Sequence, residues 1–111
     1  MKREFKKYQL NEHITMQVLS YTEQMMMAKF WFTGPGFPGT HNHSNEETDT
    51  VVAGRFEATN GVEVFPVEVG EGIQVAPSVE HNMKCLTPTG EMVTVWTPAR
   101  QDLIDKFTEL A

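Results

Sequence analysis

From residue 14 to residue 97, apolar and polar positions alternate in short runs, and glycine, proline or asparagine separates many of these runs from the next. A period of two predicts strands. ITMQVLSY (14–21) and MMMAKFWFT (25–33) are the first pair, and in the second Met26, Ala28, Phe30 and Phe32 share one face while Lys29 falls on the other, between Met27 and Trp31. GPGFPG (34–39) interrupts regular structure, because proline lacks a donor and glycine tolerates positive φ. RFEAT and VEVF then flank Asn60 and Gly61, which predicts a hairpin with positive φ at both of these residues. Pro66 confines the second arm to an edge or a bulge. GEGIQVAP (70–77), HNMKCLT (81–87) and EMVTVWT (91–97) supply further strands, with PTG turning between the last two. After Pro98 the period changes. Leu103, Ile104, Phe107 and Leu110 follow helical spacing, so a short amphipathic helix is expected over about 100–110, against the outside of the sheet. The pattern as a whole is all-β, a sandwich or a barrel, with one closing helix.

Composition narrows the class without naming it. A chain of 111 residues, 40% apolar and 22% charged, suits a single globular domain over 1–111. The net charge of -6, with MKREFKK as the only basic cluster, argues against a nucleic-acid partner. YQLNEHITMQ, which follows that cluster, lacks the apolar core of an export signal, and no apolar run is long enough for a bilayer, so a membrane partner is not expected. Cys85 is the one cysteine and cannot form an intramolecular disulfide, which fits a cytoplasmic protein. It shares the face of Met83 and His81 by period two and reads as a buried structural thiol, whereas His13 reads as a surface residue.

The candidate chemistry lies in GTHNHSNEETDTVVAG (39–54). On an extended segment His41 and His43 present both imidazoles to one side, and Glu47 reaches the same place across a small bend. An HxH pair alone fits a polar loop as well as a metal site. His81 changes the balance, since it begins a later strand where a barrel folds back. Three imidazoles and one carboxylate suit a divalent first-row ion, manganese, iron, nickel or zinc, with coordination positions left open.

The spacing adds a family resemblance. His41-x-His43, three residues, Glu47, six residues and Gly54 match the first motif of the cupin superfamily, and Gly70, five residues and then His81 after APSVE resemble its second, over 70–85. Gly34 and Gly36 straddle the expected first glycine, while Ala76, Ser78 and Cys85 stand at the second motif's proline, glycine and asparagine. The resemblance implies a jelly-roll barrel, or double-stranded β-helix, with His41, His43, Glu47 and His81 as metal ligands.

VTVWTPARQDLIDKF also resembles the C-terminal signature of the small single-domain cupins of pectin and alginate breakdown, which convert unsaturated monouronates into linear keto acids. That resemblance places Thr94 where the family carries an aspartate, Trp96 at its aromatic position and Arg100 at its arginine. It implies a small anionic substrate, with Arg100 forking onto a carboxylate, Trp96 walling a sugar ring and the metal stabilising charge as an enol becomes a ketone. Threonine cannot serve as the general acid or base, so Asp49 or Glu57 would have to face inward. The alternatives are an iron or nickel dioxygenase and a non-enzymatic binding module. A homodimer is expected from the apolar MMMAKFWF run.

Overall fold

The computed structural model describes residues 2–111. Nine strands and one helix follow in the order β1 (Lys7–Asn11), β2 (Ile14–Tyr21), β3 (Met26–Phe32), β4 (Glu46–Ala53), β5 (Phe56–Asn60), β6 (Glu63–Val67), β7 (Gly72–Val75), β8 (His81–Cys85), β9 (Gly90–Thr97) and α1 (Gln101–Phe107). Every strand pair is antiparallel, in a six-stranded sheet ordered β1-β2-β3-β9-β4-β7 and a three-stranded sheet ordered β6-β5-β8. This is the all-β jelly roll with a C-terminal helix that the pattern and the motifs imply.

Alternation decides what enters the barrel. Met26, Ala28, Phe30 and Phe32 of β3 are buried, and so are Gly90, Met92, Thr94 and Trp96 of β9, whose register sets Phe32 opposite Gly90 and Met26 opposite Trp96. Gly90 is a packing requirement. A Cβ there would stand 2.7 Å from Cys85 Sγ and 2.9 Å from Phe56 Cζ, where the Phe32 and Phe56 rings meet edge to face at 5.0 Å. These side chains plug one end of the barrel. His81, Met83 and Cys85 point inward together along β8, and Cys85 is buried, as the period of two requires.

Three local expectations are corrected. The β5–β6 hairpin forms, but Asn60 pairs with Glu63 and stays in the ladder, so the turn is Gly61–Val62 and only Gly61 takes positive φ, +63°. Asn60 is held there on both sides, since it also faces His81 of β8 and its Nδ2 donates to the Gln74 carbonyl at 2.9 Å. The helix is shorter than its apolar spacing predicts: the Thr108 hydroxyl donates back to the Ile104 carbonyl at 2.6 Å, and Leu110 instead bridges Phe5. Nor does α1 lie simply outside the sheet, because Phe107 packs on Tyr8 of β1 at 5.1 Å and Leu103 lines the cavity mouth. His13 lies at the surface with its side chain 36% exposed and its ring against Gly34. Pro66 does sit on an edge strand, β6. Among the described residues, no helix is long and apolar enough to cross a membrane.

Candidate metal centre

Three of the four residues singled out as ligands come together. His43, from the segment before β4, Glu47 of β4 and His81 at the start of β8 bring one ligand atom each within 4.8 Å of the others. Glu47 is 5% exposed and His81 2%. Backbone contacts fix the approach: Ser78 N–H donates to the His43 carbonyl at 2.8 Å, and His41 and His81 exchange two backbone hydrogen bonds at 3.0 and 2.9 Å. His41 therefore stands beside the cluster without entering it. Its ring lies 4.4 Å from that of His81, centroid to centroid, and it is the most exposed of the four.

The hydrogen bonds around the rings decide which nitrogens are free. His43 Nδ1 lies 3.0 Å from the Asn45 carbonyl and His81 Nδ1 lies 2.8 Å from the Val79 carbonyl. A carbonyl oxygen only accepts, so each Nδ1 carries the hydrogen, and a ring in its neutral form turns an Nε2 lone pair inward. Both Nε2 atoms face Glu47 Oε1, at 2.9 Å from His43 and 3.4 Å from His81. His81 Nε2 is buried and makes no hydrogen bond. With both rings neutral, two lone pairs and a carboxylate repel each other in this buried place, and a metal ion between them or a proton on an Nε2 relieves the repulsion. The donor set, two imidazole nitrogens and a carboxylate oxygen, can hold a metal ion.

Electrostatics agree with this arrangement. Burial works to raise the pKa of Glu47, but the adjacent His43 and His81 rings outweigh it and hold the carboxylate far below its ordinary range. Burial opposes charging of His81, yet the adjacent Glu47 carboxylate prevails and its pKa rises. Partial burial, reinforced by the neighbouring His81, pushes His41 down and keeps it neutral.

The residues of the last strand take roles that the sequence reading did not assign. Trp96 is 3% exposed and its Nε1–H donates to Glu47 Oε1 at 2.7 Å, so the indole orients a ligand as well as walling the cavity. Thr94 lines the cavity and donates its hydroxyl to Asp49 Oδ1 at 2.5 Å. Asp49 lies directly across the β4–β9 ladder from Thr94, fully buried, with Oδ2 unpartnered. Burial first, then the adjacent Glu47 carboxylate, drives Asp49 well above the ordinary range and favours its neutral acid form. A carboxyl group thus faces inward one strand away from position 94. Glu57 does not: it lies between the inward-facing Phe56 and Ala58, on the other face of β5. Arg100 lines the cavity mouth with its guanidinium carbon 5.5 Å from the Trp96 ring centre, but its Nε and Nη2 already fork onto Asp102 at 3.3 and 2.7 Å. The edge expected to meet a substrate carboxylate is occupied, and Nη1 remains.

These groups open into a cavity of about 460 Å³. His43, Glu47, His81 and Trp96 form one end. Met16, Phe30 and Met92 form the wall, while Leu10 of β1, Leu103 of α1 and Phe37 of the GPGFPG segment surround the mouth. The sequence pattern had marked Trp96 and Arg100 but not Leu10, Phe37 or Leu103, because nothing in the spacing shows that β1 and α1 meet over the opening.

Solved structures place the architecture. An RmlC-like cupin from Shewanella frigidimarina superposes with a TM-score of 0.83 at 24% identity, over 89% of this chain and 88% of that one. KdgF from Halomonas sp. gives a TM-score of 0.83 at 19% identity, over 88% and 90% of the two chains. AerE from Microcystis aeruginosa gives 0.79 at 13% identity, over 88% of this chain and 47% of its own. No curated protein matches the sequence. The family model described as Cupin domain matches residues 32–98, more than half of the chain, and on that match this protein belongs to the cupin family.

Proposed function

We propose that the protein is a metal-dependent isomerase of a small unsaturated or enolisable carboxylic acid, and that unsaturated monouronates are the first substrates to try. The observation that carries this reading is the joining, in one cavity, of a buried His43–Glu47–His81 donor set and the Arg100 guanidinium. His41 is the fourth ligand in this reading. The ion would supply positive charge to the enol oxygen as its proton leaves and a proton adds to the neighbouring carbon to give the ketone, with no change of oxidation state. Arg100 Nη1 receives the carboxylate while Asp102 holds the other edge of the guanidinium in place. Thr94 contributes the only side-chain hydroxyl in the described cavity lining, fixed from behind by Asp49.

The resemblance of the Trp96–Arg100 stretch to uronate-converting cupins supports the choice of first substrate. The test loads the protein with manganese, nickel or zinc and follows the ultraviolet absorbance of an unsaturated monouronate. Turnover should depend on metal and vanish, together with bound metal, in His43→Ala. No turnover with any of the three ions would reject the uronate, and oxygen uptake with iron in its place would move the protein to the dioxygenase class.

A further inference from the structure

The wall opposite the metal ligands says more about the ligand than the ligands do. Apart from His41, His43, Glu47 and His81, three polar side chains line the cavity: Asn42, Thr94 and Arg100. Each is already engaged inside the protein. Asn42 Nδ2 donates to Glu80 Oε1 at 2.6 Å, the Thr94 hydroxyl to Asp49, and Arg100 Nε and Nη2 to Asp102. Trp96 directs its one N–H at Glu47. The remaining lining is carbon and sulfur, with Met16, Phe30 and Met92 deep in the barrel and Leu10, Phe37 and Leu103 at the mouth.

A hydroxyl that a ligand places against Met16, Phe30 or Met92 loses its water and gains no partner there. A methylene in the same place gains from leaving water. A charged or hydrogen-bonding head is matched only near the His43–Glu47–His81 cluster and the free Nη1 edge of Arg100. We infer that the cavity takes a small carboxylic acid with a polar head at the metal end and an apolar alkyl or aryl body against Met16, Phe30 and Met92, in preference to a polyhydroxylated sugar acid. For the head group this rests on the metal-dependent reading above. For the body it stands on the lining alone, and it makes a monouronate a poorer ligand than an acid of the same head with an apolar body.

Three 2-hydroxy acids with the same head separate the two. Glycolate is the head alone, 2-hydroxyhexanoate adds an apolar chain, and gluconate has the same six carbons with a hydroxyl on each carbon beyond the head. Calorimetric titration of the zinc-loaded protein should give 2-hydroxyhexanoate about tenfold or more tighter than glycolate, with gluconate no tighter than glycolate. Met92→Gln should remove about tenfold of the affinity for 2-hydroxyhexanoate and leave glycolate unchanged, the latter showing that fold and head site are intact. Met92→Leu should keep the preference. Gluconate binding as tightly as 2-hydroxyhexanoate, or an unaltered preference in Met92→Gln, overturns the inference and leaves the metal-dependent reading standing. If none of the three acids binds while zinc is retained, both fall.

Discussion

The two ends of the barrel are built by the same strands and do opposite things. On β3 and β9 the inward positions near Phe32 and Gly90 meet Phe56 and Cys85 and leave no room even for an added methyl group. A few residues along the same strands, Phe30, Met92 and Thr94 face a cavity of about 460 Å³. Backbone geometry does not distinguish the two ends, since both follow the same alternation. The difference is chemical. The plugged end faces aromatic rings across from a glycine, and they interlock; the hollow end faces acids and imidazoles, whose buried charge must be balanced by a proton or a metal ion.

The sharpest way to break the contrast is to remove the charge at the hollow end. Glu47→Gln keeps the shape and the contact with Trp96 but not the carboxylate, and bound metal measured by elemental analysis should fall to background while the thermal transition persists. Metal retained at the native level would show that the hollow end is not a metal site. The complementary change is Phe56→Ala, which empties the plugged end. It should cost about 3–5 kcal/mol in denaturant unfolding and leave metal per folded molecule unaltered; a matching loss of metal would mean that the two ends are not independent.

A smaller effect separates the ends by pH. Because the pKa of His81 is raised in the folded protein, the metal-free His81–Glu47 pair stabilises fully below the ordinary imidazole value of about 6.5 and ceases to do so as pH rises through the raised value. Metal displaces that proton, so metal affinity should climb over the same window, and the metal-loaded protein should not share the loss of stability. The penalty of Phe56→Ala should be flat across it. A metal affinity that does not change with pH would show that His81 is not a ligand.

What the sequence revealed, and what it hid, follows from the same contrast. Strands with apolar inward faces, such as β2 and β3, were visible as alternation, and the turn signal after β5 found the hairpin to within one residue. β4 is absent from the predicted strands, because two of its inward side chains are Glu47 and Asp49, and a buried acid reads as polar. β1 was missed outright. KYQLN is a half-exposed edge strand with no apolar period, and only the structure shows Leu10 at the cavity mouth. In the site, motif spacing pointed to His43, Glu47 and His81, which the fold assembles, and to His41, which it leaves alongside. It could not show that the carboxyl group lacking at position 94 lies across the ladder at Asp49, since that pairing joins residues 45 apart in the chain.

The indole of Trp96 gives the molecule an optical gauge of its own site. Its N–H is bonded to Glu47 and its ring borders the cavity, so the charge that Glu47 feels also bears on the indole's excited state. The other tryptophan, Trp31, lies on the outer face between Lys7 and Lys29, whose ammonium groups sit 4.6 and 5.0 Å from its ring centre. With Trp31 changed to phenylalanine, the remaining emission comes from the site alone, and loading with an ion or a ligand can be followed without labelling the protein.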